Sequence, residues 1–197
     1  MILNNIILHK NLKKIVAKQT EVEDIILFGS VMRGKERPED IDIIVIFKNS
    51  VVKETEYQIR KEIEKKYKNV SIISKTLNTL FDPAFDARES ILFEGKSLLK
   101  GRTLAEQYGY NSAGMFKCDF KGWSKLKKTK YYYALNGRGT QRGIIKELTG
   151  IKLADGVILV PLPKVEVFRS FLEFWKVEYR YIPVLIPERL NQKKLLE

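Results

Sequence analysis

The chain contains the stretch Leu27-Phe28-Gly29-Ser30-Val31-Met32-Arg33-Gly34, followed closely by Pro38-Glu39-Asp40-Ile41-Asp42-Ile43-Ile44-Val45. In the first stretch, a short apolar run that begins at Asp24 ends at Gly29, which predicts a strand closed by a glycine turn. In the second stretch, two carboxylates border an almost wholly apolar run, 41–47, which is typical of a strand at the buried centre of a sheet.

The two carboxylates, Asp40 and Asp42, lie two residues apart at the start of this second strand. Side chains with that spacing point to the same face of a strand, so both carboxylates share one space. Helix capping or simple solvation would also place aspartates here. However, two ionised groups at the mouth of a buried strand repel each other without a cation. Since Mg²⁺ prefers oxygen ligands, the pair predicts a magnesium site.

Gly29 and Ser30 predict a phosphate-binding turn ahead of that site. A glycine lets the backbone approach a ligand closely. We expect a helix to begin at Val31, so that backbone N–H groups and the Ser30 hydroxyl cradle a phosphate at the helix N-terminus.

Around these stretches the apolar spacing alternates between the helical and the strand period, which predicts an α/β layer structure. Helices are expected over 2–18, 51–67 and 83–94, and strands over 24–28, 41–47, 70–73 and 97–99.

Taken together, the Gly-Ser turn and the Asp-x-Asp strand resemble the minimal nucleotidyltransferases of the DNA polymerase β superfamily. Their pattern is a strand, Gly-Ser, an Ala-Arg-Gly-like turn and Asp-x-Asp at the start of the next strand; here nine residues separate Ser30 from Asp40. The resemblance extends to about residue 100, because Phe93-Glu94-Gly95-Lys96-Ser97-Leu98-Leu99 is also similar to the family. It implies a polymerase-β-like α/β (α+β) fold with a mixed sheet, over a domain of residues 1–102.

The resemblance also implies the chemistry, which is transfer of a nucleoside monophosphate from an NTP such as ATP to an acceptor hydroxyl. Asp40 and Asp42 would be the catalytic residues and would hold two Mg²⁺ ions, or Mn²⁺ in their place. Gly29 and Ser30 would bind the nucleotide phosphates. Arg33 would add positive charge to that site, unless it faces solvent as an ordinary turn residue.

The sequence departs from the family at one position. Active members usually carry a third carboxylate in a Val-Asp-apolar-apolar run on the next strand, and here that run is Val70-Ser71-Ile72-Ile73. Without this carboxylate the general base is missing and one metal is weakly held. Asp82, Asp86, Glu89 and Asp24 fit the role poorly. A nucleotidyltransferase fold that binds nucleotide or nucleic acid without catalysis is therefore an alternative.

The second half of the chain is expected to form a smaller α/β domain over 103–190, followed by a polar tail over 191–197. Helices are expected over 125–135, 144–148 and 165–175, and strands over 157–160 and 179–185. Pro183 predicts that the last strand lies at a sheet edge. Trp175 is interpreted as a core residue, and so are at least two of the three tyrosines at 131–133.

Positive charge concentrates in this second half. Of the net charge of +12, residues 1–100 contribute +3 and residues 101–197 contribute +9, and nine basic residues face a single acidic one within 117–146. Such a surface attracts a polyanion, or it simply keeps the protein soluble. Five basic residues are the predicted nucleic-acid contacts, with RNA as the expected partner: Lys127, Lys128, Lys130, Arg138 and Arg142.

Three function classes remain open: a Mg²⁺-dependent nucleotidyltransferase with a nucleic-acid acceptor, a non-catalytic binding protein, and an enzyme with a protein or small-molecule acceptor, as in the toxin–antitoxin and aminoglycoside-modifying branches. The positive charge disfavours a cationic aminoglycoside. The apolar runs are too short to span a membrane. Cys118 is the only cysteine, which argues against a disulfide framework or a thiolate metal cluster and favours a cytoplasmic protein.

Overall fold

A computed structural model of the protein describes residues 5–35 and 38–189. The chain divides into two compact units. The first contains Met1–Met32 and Glu36–Tyr108, and the second contains Arg33–Lys35 and Gly109–Glu197. Every helix within the described residues is too short or too polar to cross a bilayer.

The first unit is built on a four-stranded mixed sheet. Its elements are α1 (Ile6–Ala17), β1 (Val22–Phe28), β2 (Ile41–Phe47), α2 (Lys53–Glu64), β3 (Val70–Thr76), α3 (Leu77–Leu80), α4 (Arg88–Glu94), β4 (Lys96–Ser97) and α5 (Leu104–Gln107). The strand order is β3-β2-β1-β4, with β2 and β3 parallel and β1 antiparallel to both of its neighbours. The predicted mixed sheet is thus confirmed.

The inner strands β1 and β2 are buried almost throughout, because both faces of the sheet are covered. One face packs Ile26, Ile44 and Ile46 against Leu80 and Ile91 of α3 and α4. Residues of the opposite parity, such as Ile25 and Ile43, are also fully buried. This burial on both sides explains why 41–47 is apolar without alternation.

The second unit is built on a four-stranded antiparallel sheet in the order β10-β5-β9-β8. Its elements are β5 (Tyr110–Asp119), α6 (Lys125–Asn136), β6 (Gly137–Arg138), β7 (Gln141–Arg142), α7 (Ile144–Glu147), β8 (Ile151–Ala154), β9 (Val157–Pro161), α8 (Val165–Trp175) and β10 (Glu178–Pro187). Strand β10 lies at the edge, as Pro183 predicted. Phe116 and Phe168 meet edge to face in the core, with ring centroids 5.0 Å apart.

Several element boundaries differ from the sequence-based expectations for local reasons. Helix α1 begins at Ile6, where the Asn5 side chain accepts a hydrogen bond from the Leu8 N–H at 3.0 Å, and residues 1–4 lie outside the described part. The helix expected over 83–94 begins only at Arg88, because a turn at Asp82 precedes it; the Asp82 carboxylate accepts from the Ala84 N–H at 2.8 Å. The strand expected over 97–99 is Lys96–Ser97. The polar tail expected over 191–197 also lies outside the described residues.

Candidate active site

The Gly-Ser turn lies directly against the second aspartate of the Asp-x-Asp pair. Phe28, the last residue of β1, pairs with Asp42 on β2, so Gly29 leaves the sheet beside that carboxylate. Gly29 has φ +82°, and a Cβ at this position would collide with Asp42 Oδ2. Only glycine satisfies both constraints. The two motifs that carry the family resemblance are therefore adjacent in the fold.

The turn after Ser30 does not open a helix, and that expectation is wrong. Residues 30–34 form consecutive turns, in which the Met32 N–H donates to the Gly29 carbonyl at 3.0 Å. A phosphate at this site would therefore meet turn N–H groups and the Ser30 hydroxyl, without the aligned peptide dipoles of a helix N-terminus.

The start of β2 is fixed by the start of β3. The Ile41 N–H donates to the Asn69 carbonyl at 3.0 Å, and Asn69 Nδ2 donates to the Glu39 carbonyl at 3.2 Å. Asn69 itself has a positive φ of 56°, which asparagine tolerates better than most residues. These contacts hold the backbone on both sides of Asp40, which is exposed just before the strand, while Asp42 is half-buried within it.

Ser71 occupies the register position beside Asp42 on the parallel strand β3. Neighbouring residues in register on parallel strands point to the same face of a sheet, so a carboxylate at 71 would share the space of Asp42. The serine there is exposed.

The four other candidate carboxylates of the described residues lie on elements other than β3. Asp82, Asp86 and Glu89 are all exposed on the segment around the start of α4. Asp24 is buried at the start of β1, where it accepts from the Ser97 hydroxyl at 2.7 Å and pairs with Lys100 Nζ at 3.2 Å. Among residues 5–35 and 38–189, no cluster of three or more His, Cys, Asp or Glu side chains is placed to hold a metal.

The site nevertheless fits a hard divalent cation that is shared with a phosphate ligand. Two carboxylates at the mouth of a buried strand supply oxygen donors and negative charge, which suits Mg²⁺. Mg²⁺ in nucleotide sites is commonly bound by one or two carboxylates together with substrate phosphates and water. Asp42 lies beside the Gly29–Ser30 turn, and Asp40 precedes Asp42 by two residues, so the residues present carry donors of that type.

Arg33 groups with the second unit. Its Nε donates to Glu166 Oε1 at 3.1 Å, and the Glu166 N–H donates to the Arg33 carbonyl at 3.2 Å. Glu166 also accepts from Arg169 at 3.2 Å. The predicted contact of Arg33 with the triphosphate stays a prediction.

Three of the five predicted nucleic-acid contacts meet in one groove of the second unit. Lys130, Arg138 and Arg142 line it together with Tyr133 and Trp175. The other two lie outside: Lys127 Nζ lies 3.6 Å from the centroid of the Trp123 ring, and Lys128 is exposed on α6.

The aromatic residues near this groove correct two expectations. Tyr131 is buried, but Tyr132 and Tyr133 are 52% and 39% exposed, so only one of the three tyrosines is a core residue. Trp175 packs on Tyr131 at 5.7 Å and also borders the groove, so it is not simply a core residue. The sequence signal that was missed is the position of Trp175 in the last turn of α8, where one side of the indole is left uncovered.

Cys118 is a packing residue of this unit. It lies against the buried cluster around Phe116 and Tyr131. Burial raises the pKa of its thiol to about 11, which keeps the sulfur protonated at neutral pH. Since the thiolate is the nucleophile, this environment argues against a catalytic role.

Comparison with solved structures finds toxin–antitoxin complexes with low identity to this chain. A mutant of the MntA–HpeT pair is 17% identical, with a TM-score of 0.35, and the match covers 46% of this chain and 70% of the other. A rebuilt structure of the tri-AMPylated Shewanella oneidensis HEPN toxin with its MNT antitoxin is 18% identical, with a TM-score of 0.31 and coverages of 47% and 69%. A toxin–antitoxin with AMP-PNP is 20% identical, with a TM-score of 0.34 and coverages of 46% and 71%.

No curated protein sequence matches the chain significantly. Residues 10–100 match the family model described as polymerase beta, nucleotidyltransferase. This range contains the Gly-Ser turn, the Asp-x-Asp strand and all four strands of the first sheet. Residues 10–100 therefore form a nucleotidyltransferase domain of the polymerase β family.

Proposed function

We propose that the first unit transfers a nucleoside monophosphate from an NTP to an acceptor hydroxyl in a Mg²⁺-dependent reaction. The observation that carries the proposal is the contact between Gly29 and Asp42, because it brings the predicted phosphate-binding turn beside one of the two predicted metal ligands, within a domain of a nucleotidyltransferase family. In the reaction, the acceptor oxygen attacks the α-phosphorus, the bond to the bridging oxygen breaks and pyrophosphate leaves.

Each residue of the site has a separate task in this proposal. Asp40 and Asp42 hold Mg²⁺, which when bound neutralises triphosphate charge and acts as a Lewis acid. The turn N–H groups and the Ser30 hydroxyl bind phosphate oxygens beside Asp42. Ser71 stands where a carboxylate would accept the acceptor proton, and a neutral hydroxyl does this poorly. The proton therefore goes to solvent, and we expect slow turnover.

We propose a nucleic acid, RNA above all, as the acceptor. The charge of +9 on residues 101–197 supports a polyanionic partner, because it attracts phosphates over long range. Protein and small-molecule acceptors are the other outcomes of the labelling experiment below, and the labelled species distinguishes them.

A second candidate is a nucleotide- or nucleic-acid-binding protein whose catalysis has been lost. Ser71 favours it, since the register beside Asp42 holds no carboxylate. In this case the Asp40–Asp42 pair still binds Mg²⁺–nucleotide, but no bond is made.

The deciding experiment incubates the protein with each α-³²P-labelled NTP, Mg²⁺ or Mn²⁺, and a mixed RNA pool. The same reaction is run with the Asp40→Ala/Asp42→Ala variant and with the control Asp86→Ala/Glu89→Ala, which removes two exposed carboxylates of the same unit. Label transfer that is lost only in the first variant supports the enzyme. If the wild type transfers no label but still binds nucleotide, the second candidate replaces it.

A further inference from the structure

The second unit contains a basic groove, defined here by Lys130, Tyr133, Arg138, Gln141, Arg142 and Trp175, with a volume of about 490 Å³. It is formed by residues 130–134 of α6, the β6–β7 hairpin and the last residue of α8. All of its lining residues belong to the second unit.

Within residues 5–35 and 38–189, no acidic side chain neutralises the charge of the groove. Its lining residues include three cations and no carboxylate. Among the described residues, no acidic side chain forms an ion pair with Lys130, Arg138 or Arg142. Unpaired cations that line a concave surface attract phosphate groups, and arginine can bind them with two parallel hydrogen bonds.

The groove also presents aromatic surface. Tyr133 is 39% exposed, and the Arg138 guanidinium lies 4.8 Å from the centroid of its ring. The Trp175 ring packs against Tyr131 and Phe171, whose ring centroids lie 5.7 and 6.4 Å from its own. Aromatic rings held in place beside cations can stack bases whatever their sequence.

The hairpin fixes the backbone at the two arginines. Gly137 pairs with Arg142, and Arg138 pairs with Gln141, across a turn at Gly139–Thr140. A Cβ on Gly137 would collide with the Gln141 carbonyl, and one on Gly143 would collide with the backbone at Asn136 and Gly137. These two glycines are therefore required by the close approach of the two backbones, and this close packing sets the point from which each arginine side chain extends.

We propose that the basic groove binds single-stranded nucleic acid, with a base against Tyr133 and Trp175 and the flanking phosphates on Lys130, Arg138 and Arg142. Its volume is that of a small-ligand site, which suits one nucleotide of the strand. A duplex is excluded as the preferred ligand, because its bases are stacked on one another and cannot reach the rings. The inference concerns the second unit and holds whether or not the first unit is catalytic.

The test measures binding of fluorescently labelled 12-mer RNA and DNA single strands, and of the corresponding duplexes, by anisotropy with EDTA and without NTP. We expect the Arg138→Ala/Arg142→Ala variant to bind single strands on the order of tenfold or more weakly. Its slope of log affinity against log salt should be shallower by about 1.4, or roughly 0.7 for each lost phosphate contact on a single strand. Arg180→Ala, an exposed arginine of β10 outside the groove, is the matched control and should bind normally.

A second readout follows the aromatic surface directly. The chain has two tryptophans, so Trp123→Phe leaves Trp175 as the only indole reporter. We expect its fluorescence to change as the unlabelled oligonucleotide saturates the protein, and we expect Tyr133→Ala to weaken binding by about fivefold or more. Circular dichroism melts establish that each variant is folded.

Three results would overturn the proposal. Arg180→Ala could weaken binding as much as the double variant does, or duplexes could bind as tightly as single strands. Alternatively, a mononucleotide could compete as well as the oligonucleotide, which would make the groove a small-molecule site. An effect on RNA but not on DNA would support the proposal and identify contacts with the 2′-hydroxyl.

Discussion

Gly29 is the residue on which the geometry of the candidate active site depends most directly. It combines a left-handed backbone, φ +82°, with a neighbouring carboxylate oxygen where a Cβ would lie. The first constraint concerns the turn, whereas the second concerns the distance between the turn and Asp42. The two constraints can be separated by experiment, because Gly101 has nearly the same φ, +77°, with open space around its Cβ position.

We predict that Gly29→Ala lowers the free energy of unfolding more than Gly101→Ala does. The control should lose about 1–2 kcal/mol from the left-handed conformation alone. Gly29→Ala should lose a further 1–3 kcal/mol, roughly, from overpacking against Asp42, and it should also abolish stabilisation by Mg²⁺–ATP. Urea unfolding and thermal shift with and without Mg²⁺–ATP measure both effects. Equal losses in the two variants would mean that the turn does not press on the carboxylate.

Ser71 gives a prediction in the opposite direction, namely a gain of function. Ser71→Asp would place a third carboxylate in register with Asp42, on an exposed position that accepts the change. Without metal, repulsion between the new carboxylate and Asp42 should lower the melting temperature. Added Mg²⁺ should restore the melting temperature. If a general base is what the site lacks, transfer of label should rise on the order of 100-fold.

The control for this variant is Ser71→Asn, which has a similar size and no charge. It should change neither the metal dependence of the melting temperature nor the rate. If Mg²⁺ does not change the melting temperature of Ser71→Asp, position 71 does not face the metal site.

Cys118 permits a prediction from its pKa. Burial raises that pKa from an ordinary value near 9 to about 11. The unfolded chain therefore ionises first, so the contribution of Cys118 to stability is complete below pH 9 and is lost as the pH rises from about 9 to about 11. At pH 8 the thiolate fraction of the folded protein should be about 100-fold lower than in denaturant. The rate of alkylation by iodoacetamide measures this difference, and equal rates in the two states would contradict it.

At the scale of the elements, the sequence predicted best where burial is simplest. Strand β2 was predicted over its full range, because a strand that is buried on both faces must be apolar throughout. Strand β5 was missed, although it lies inside the second sheet and pairs with both β9 and β10. Apolar and polar residues alternate only weakly along β5, and Gly114 interrupts the apolar pattern at the centre of the strand. That glycine is explained only by the three-dimensional structure, since a Cβ there would meet Tyr181 and Val165 at 2.7 and 2.9 Å.

Site residues, like strands, could be predicted from the sequence only where the signal is local. The Asp-x-Asp pair and the Gly-Ser turn could be found from spacing, because their partners are near in sequence. The helix expected after Ser30 was wrong, since a short stretch from Val31 to Gly34 has no helical periodicity to test. The basic groove was predicted only in part, because one of its two aromatic residues, Trp175, comes from α8, more than thirty residues further along the chain than Arg138.

A buried carboxylate links β1 to the short strand β4, and this link gives a prediction for these two elements. Asp24 accepts hydrogen bonds from the Ile25 N–H at 2.8 Å and the Ser97 hydroxyl at 2.7 Å. Asp24→Ala should lower the free energy of unfolding by about 2–3 kcal/mol, because it leaves a buried hydroxyl and an N–H without an acceptor. Glu23→Ala, which removes the adjacent half-buried carboxylate from the same strand, should stay within about 0.5 kcal/mol. Chemical denaturation measures both variants, and similar losses would show that Asp24 is not the link.

At the scale of the whole molecule, the two candidate sites draw on different parts of the chain. The carboxylate pair and its turn belong to the first unit, and every residue that lines the basic groove belongs to the second. The two sites share no residue, so substitutions in one should act on its own ligand and leave the other ligand alone. If the acceptor is nucleic acid, this separation makes a kinetic prediction.

We predict that Arg138→Ala/Arg142→Ala raises the KM for an oligonucleotide acceptor about tenfold and changes kcat less than about twofold, because the groove binds the ground state and the transition state equally. Asp42→Asn should abolish transfer but leave the Kd of the oligonucleotide unchanged, and the effects of the two variants on oligonucleotide binding should be additive when combined. Label transfer over a range of oligonucleotide concentrations, with anisotropy on the same proteins, measures all of these quantities, and Arg180→Ala is again the control. A lower kcat at constant KM in the arginine variant would mean that the groove stabilises the transition state rather than only binding the acceptor. A weaker Kd in Asp42→Asn would mean that the strand extends to the carboxylate pair.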